Sequence, residues 1–124
     1  MIYGIGTDLC QISRMERSLA RPAFAERVFA AGERELLDGR TGKARLETAA
    51  ANFAAKEAFL KACGTGLAGF ALNEIAALRD ERGAPYLAFS GRTAEFMETN
   101  QLSAHLSLTH EADLAAAFVV LERG

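Results

Sequence analysis

Asn52-Phe-Ala-Ala-Lys-Glu-Ala-Phe-Leu-Lys-Ala-Cys-Gly-Thr-Gly66 is the stretch on which the fold turns. At 3.6 residues per turn it sets Phe53, Glu57, Leu60 and Lys61 on one helical face, mixing apolar and charged groups. Ala49, Ala50, Ala51, Ala54, Ala55, Ala58 and Ala62 favour helix and carry little bulk, so other segments can approach this backbone closely. Gly64 is suited to the left-handed residue that ends a helix, and Thr65 and Gly66 extend a small loop of free backbone donors able to receive an anion. Glu57 and Lys61 admit two readings. They form a surface i,i+4 ion pair, contributing roughly 0.2–0.5 kcal/mol, or Glu57 is a carboxylate among apolar neighbours that needs a cation, of which a divalent metal is one.

The 124 residues, 50% hydrophobic and 24% charged, fit one domain spanning 1–124 with a modest core. There is no run of eighteen apolar residues, and the start lacks the basic and apolar regions of a secretory signal, so a soluble cytoplasmic protein without membrane association is expected. Cys10 and Cys63 have neither C-x-x-C nor metal-ligand spacing, and reduced thiols are the default. A net charge of −2 argues against nucleic acid as a partner. Between positions 11 and 45, however, eight basic side chains face five acidic ones, a local excess suited to an acidic partner.

Ile2–Gly6 reads as a short strand with Thr7-Asp8 at its end. Asp8 either caps the next turn, with Gln11 three residues on, or stays free for another task, since Ser13-x-x-Glu16 is a better capping box for a helix from Arg14 to about Ala20. Pro22 opens a second helix that Gly32 closes, and Glu33–Asp38 forms a third, ended by Gly39. Arg40–Lys43 is a loop before the central helix. Leu72–Arg79 and Tyr86–Ser90 pair as a hairpin through Asp80–Pro85, and Thr93–Asn100 is a short helix with Phe96 and Met97 inward. In Ala104–His110 the period becomes two: His105, Ser107 and Thr109 share one face, Leu106 and Leu108 the other. Ala115–Leu121 is a final buried strand. The sum is an α+β fold, a mostly antiparallel sheet packed against a long central helix.

Three polar groups carry the chemistry: the carboxylates Asp8 and Glu57, a lysine and glycine set (Lys56, Lys61, Gly64, Thr65, Gly66), and the His/Ser/Thr strand. One or two carboxylates completed by water and phosphate are the usual way to hold Mg²⁺, and lysines with a glycine loop suit a phosphate. Gly4-Ile-Gly6 lacks the third glycine of a dinucleotide fingerprint, and no Gly-Lys-Ser/Thr follows Gly64-Thr-Gly66. Ser107 has no G-x-S-x-G around it, so a Ser/His nucleophile is disfavoured.

Taken together, Gly4-Ile-Gly-Thr-Asp8, Phe53-Ala-Ala-Lys-Glu-Ala-Phe59, Lys61-Ala-Cys-Gly-Thr-Gly66, Gly83-Ala-Pro85 and His105-Leu-Ser-Leu-Thr-His110 resemble the holo-acyl-carrier-protein synthases, the small bacterial 4′-phosphopantetheinyl transferases. The likeness runs in order from Tyr3 to about Glu122. It implies transfer of phosphopantetheine from coenzyme A to a serine of an acyl carrier protein, with release of adenosine 3′,5′-bisphosphate and a requirement for Mg²⁺. It implies Asp8, Glu57 and Lys61 as catalytic residues, Asp8 and Glu57 holding the metal, and either Glu57 or a water on the metal as the base. Coenzyme A contacts are implied for Lys56, Lys61, Gly64, Thr65, Gly66, Gly83, Pro85, His105, Ser107, Thr109 and His110. A carrier-docking surface is implied for Arg14, Arg21, Phe24 and Arg27, and a homotrimer with sites at subunit interfaces for the assembly.

One departure stands out. The family usually has arginine immediately before the Phe-Ala-Ala-Lys-Glu run, and here Asn52 stands there, without the charged fork that grips a phosphate. Arg45, about two helical turns earlier, is the expected substitute. The alternative to the transferase is a non-catalytic carrier-protein or nucleotide-binding module of the same fold. Intact Asp8, Glu57 and Lys61 favour the enzyme.

Overall fold

In the computed structural model, which describes residues 1–64 and 69–124, strand β1 runs from Ile2 to Gln11, twice the expected length. The extension follows from its partner. The final strand, β5 (Leu114–Arg123), pairs antiparallel with β1 through Gly6↔Val119, Asp8↔Ala117 and Cys10↔Ala115, and this ladder carries the backbone on past the polar residues. Asp8 therefore sits within a strand rather than beyond its end. Strand β4 (Leu102–Glu111) pairs with the other side of β5, giving a three-stranded antiparallel sheet ordered β1-β5-β4. Strands β2 (Ile75–Arg79) and β3 (Pro85–Phe89) form a separate two-stranded hairpin, as the turn chemistry predicts. In that turn the Asp80 carboxylate accepts from the Arg82 and Ala84 amides, both at 2.9 Å, and Gly83 takes a left-handed φ of +86°.

The central helix α4 (Gly42–Cys63) lies on the inner face of the larger sheet. Its small residues permit an unusually close approach: a methyl built on Gly4 would stand 2.0 Å from the Ala62 carbonyl oxygen, and one on Gly6 1.9 Å from that of Ala58. Gly4-Ile-Gly6 is thus a packing device, with strand backbone set directly on helix backbone, and Ala54, Ala58 and Ala62 are buried along the seam. Gly64 ends α4 in the left-handed conformation, as expected.

Three short helices, α1 (Arg14–Leu19), α2 (Pro22–Val28) and α3 (Ala31–Asp38), cover the first half of α4, where Met15, Val28, Phe29 and Leu37 pack against Ala49 and Ala50. A 3₁₀ turn (Leu72–Glu74), not strand, precedes β2, and α5 (Gly91–Thr99) follows the hairpin and buries Met97. Two local expectations fail. Ser13 does not cap its own helix: its amide and hydroxyl both bond the Asp113 carboxylate, at 2.9 and 2.7 Å, tying α1 to the β4–β5 turn. Gly32 does not close α2, which ends where Phe29 turns extended, and Gly32 instead lies in the first turn of α3.

Lys56 and Glu33 form a wholly buried ion pair at 2.5 Å. The ammonium also donates to the carbonyls of Leu72 (3.0 Å) and Ile75, which uses all three of its protons. Glu33 accepts in addition from the amides of Ala30 (3.0 Å) and Ala77 (3.1 Å) and from Asn52 Nδ2 (3.0 Å). Burial pulls the Lys56 ammonium below its ordinary range, and Glu33 holds it up. Replacing only one member strands a charge in the core. Lys56→Met is expected to cost about 3–5 kcal/mol in urea unfolding, and Glu33→Gln added to Lys56→Met to recover a good part of it. A single variant as stable as the parent would contradict this.

Candidate active site

Two elements supply the site at the β1 edge of the sheet. Strand β1 brings Asp8, and α4 brings Glu57 and Lys61 one turn apart. Lys61 Nζ donates to Asp8 Oδ1 at 3.1 Å and to the Thr7 carbonyl at 3.0 Å, so its partner is the strand carboxylate rather than Glu57, and the i,i+4 surface pair is not formed. Glu57 is half-buried. Its carboxyl is raised above the ordinary range, first by burial and then by the Asp8 charge, with Lys61 opposing. Two carboxylates that repel one another, with a single lysine between them, are short of positive charge.

That donor set fits Mg²⁺. Hard carboxylate oxygens come from two different elements, and water and phosphate oxygens would complete the coordination. Neither cysteine competes as a nucleophile: burial pushes the Cys63 thiol up to about 12, and Cys10 is raised in the same sense.

Lys56 is the clear exception among the expected coenzyme A contacts. It is fully buried against Glu33 and has no surface with which to meet a ligand. One step of a helix is about 100°, which sends Lys56 into the core and leaves Glu57 at its margin. Gly64 is exposed at the end of α4, while Thr65 and Gly66 lie outside the described residues.

A cleft of about 280 Å³ opens beyond β4, the opposite edge of the sheet. It gathers Gly83, Pro85, Thr109 and His110 from the expected set, and His110 Nδ1 lies 3.5 Å from Glu47. Ser107 and His105 do not line it. Both belong to the outward face of β4, where His105 Nε2 stands 2.9 Å from Glu122. The cleft also holds Arg40 and Arg79, which the sequence did not single out. Asn52 is buried and accepts a hydrogen bond from Arg79 at 2.9 Å, whereas Arg45 lines a separate hollow with Glu16, Leu19 and Leu46. Arg45 thus stands outside the cleft that Arg79 lines.

Arg14 and Arg21, with Arg17 and Ser18, surround a shallow hollow on α1, and Arg27 is exposed on α2. Phe24 is half-buried, 6.0 Å from the Phe29 ring and 6.4 Å from Phe53, with the Arg21 guanidinium 6.0 Å from its own ring. Cys10, two residues along β1 from Asp8, is raised first by burial and then by the Asp8 charge, with Arg14 opposing, so the first arginine of this surface lies toward that part of β1.

The paired acids, the lysine between them and the glycine seam fit a wider pattern. Residues 4–119 match the model of the 4′-phosphopantetheinyl transferase superfamily, and the chain belongs to that family. Among its relatives is the holo-[acyl-carrier-protein] synthase of Aromatoleum aromaticum, 48% identical over 99% of both chains. Two solved structures are also similar. The Bacillus anthracis holo-(acyl-carrier-protein) synthase in complex with CoA (3′,5′-ADP) is 37% identical, with a TM-score of 0.85 over 100% of this chain and 99% of that one. The Neisseria meningitidis synthase is 34% identical, with a TM-score of 0.89 over 99% and 100%.

Proposed function

We infer that this chain transfers the 4′-phosphopantetheine group of coenzyme A to a serine of an apo-acyl carrier protein and releases adenosine 3′,5′-bisphosphate. The convergence of Asp8, Glu57 and Lys61 where β1 meets α4 carries this reading, and full-length likeness to holo-acyl-carrier-protein synthases supports it. Mg²⁺ held by Asp8 and Glu57 would supply the positive charge that a breaking pyrophosphate bridge demands. Lys61, exposed beside them, is placed to steady the phosphate oxygens. Glu57 or a water on the metal would take the proton of the attacking serine. The arginines of α1 offer an acidic carrier protein a landing surface beside that chemistry.

The assembly we propose is a cytoplasmic homotrimer of single-domain subunits. The outward face of the larger sheet exposes Ile5 (58%), Leu9 (64%), Leu114 (47%) and Phe118 (45%), an apolar surface of the kind that closed symmetric association covers. Asp8 is on one edge strand of that sheet, while Thr109 and His110 are on the other, with β5 between. Association would set the acids of one copy beside the cleft of the next.

Incubation of an apo-carrier protein with the chain, coenzyme A and Mg²⁺ is expected to add about 340 Da to the carrier in the mass spectrum. No gain with fatty-acid or polyketide carriers would favour the non-catalytic binding module.

A further inference from the structure

Arg40 and Arg79 both line the cleft, and among the described residues neither pairs with a carboxylate. Arg40 donates to Thr48 Oγ1 at 2.5 Å, and Arg79 to Asn52 Oδ1 at 2.9 Å and to its neighbour's carbonyl on Leu78 at 3.2 Å. Both line the same cleft, and the proton affinity of Arg79 is lowered first by burial and then by the charge of Arg40, with Glu33 opposing. The one carboxylate of the lining, Glu47, is engaged by His110 at 3.5 Å and by Lys43 at 4.0 Å. Two guanidiniums lining one cleft, each fixed by a neutral acceptor that leaves further N–H groups free, make a receptor for a multiply charged oxyanion. Pro85 and Leu108 add an apolar wall on which a nucleoside can lie.

We propose that Arg79 and Arg40 form the subsite for the 3′-phosphate of coenzyme A, supplying the charge that Asn52 does not. This rests on the transferase reading, which fixes where the other phosphates go. The pyrophosphate, where the bond breaks, belongs with Asp8, Glu57 and Lys61 at the β1 edge, so the phosphate on the ribose needs cations of its own. Asn52, itself fully buried and anchored through Nδ2 to Glu33 and to the Ala77 carbonyl (2.9 Å), gives Arg79 a rigid acceptor. The charge is carried from the helix to the end of β2, one hydrogen bond away.

The test compares coenzyme A with 3′-dephospho-coenzyme A as donors for the full chain and for Arg79→Gln, Arg40→Gln and Arg45→Ala. Each glutamine variant is expected to raise the Michaelis constant for coenzyme A about tenfold to hundredfold, the effect of losing a charge-assisted pair. The constant for the dephospho donor and kcat should hardly move, and Arg79→Lys should recover part of the preference. Arg45→Ala should keep the parental ratio. Parental ratios in both glutamine variants overturn the proposal, as does loss of the preference in Arg45→Ala alone. Should the parent transfer from neither donor, the transferase reading fails and calorimetry still decides the subsite. Adenosine 3′,5′-bisphosphate must bind more tightly than 5′-AMP and lose that advantage in Arg79→Gln, and equal binding overturns it.

Discussion

Gly6→Ala is expected to lower the melting temperature by roughly 10 °C or more, corresponding to about 3 kcal/mol. The added methyl would sit 1.9 Å from the Ala58 carbonyl oxygen and 2.8 Å from the Ala62 amide nitrogen. Both are backbone atoms of a helix, so no rotamer change relieves the contact, and strand and helix must separate. Separation also opens the seam beneath Ala54 and Ala58, which are fully buried. Asp8 lies two residues further along the same strand, so protein that does fold should turn over slowly as well, its carboxylate displaced from Lys61 and Glu57. Gly39→Ala is the matched control, since its methyl would meet nothing nearer than 3.6 Å and its φ of −81° suits any residue. Melting temperatures within two or three degrees of one another in the two variants would refute the seam argument.

Glu57→Gln is expected to reduce kcat/KM about a thousandfold or more while the chain stays folded, because a neutral amide neither grips a divalent cation nor accepts the serine proton. The direction of the pKa shift adds a second signature. The Glu57 pKa in the folded chain lies above its ordinary 4.5, so the folded state favours the protonated acid. The stability this contributes is complete below the unfolded pKa and is lost as pH rises through the raised folded one. Near neutrality the ionised group works slightly against folding, and Glu57→Gln should melt at or a little above the parent temperature. Turnover within tenfold of the parent, or a variant that unfolds, would contradict the catalytic placement.

Much of this arrangement is visible in the sequence. The alanine-rich run and Gly64 define α4, and the turn chemistry of Asp80–Ala84 gives the β2–β3 hairpin, because propensity and local hydrogen bonds act over a few residues. The length of β1 was hidden because Asp8 looks like a terminator, and only the register with β5, more than a hundred residues away, overrides it. The glycines of β1 resemble half of a nucleotide loop until α4 is seen against them. Lys56 beside Glu57 suggests two functional charges, and the partner that removes one of them, Glu33, is 23 residues distant. Arg79 has no signal at all in a single sequence. It is one more charged residue before a turn, and its meaning comes from a buried asparagine on another element.

The juxtaposition of Lys56 and Glu57 has a consequence for descent. Adjacent letters of one motif answer to different selective demands, the first to survival of the folded chain and the second to turnover. A copy released from its chemical duty should therefore let Glu57 drift while conserving Lys56, Glu33 and Gly6. Such erosion, one-sided within the Phe53–Phe59 run, would mark retired enzymes in this lineage from sequence alone.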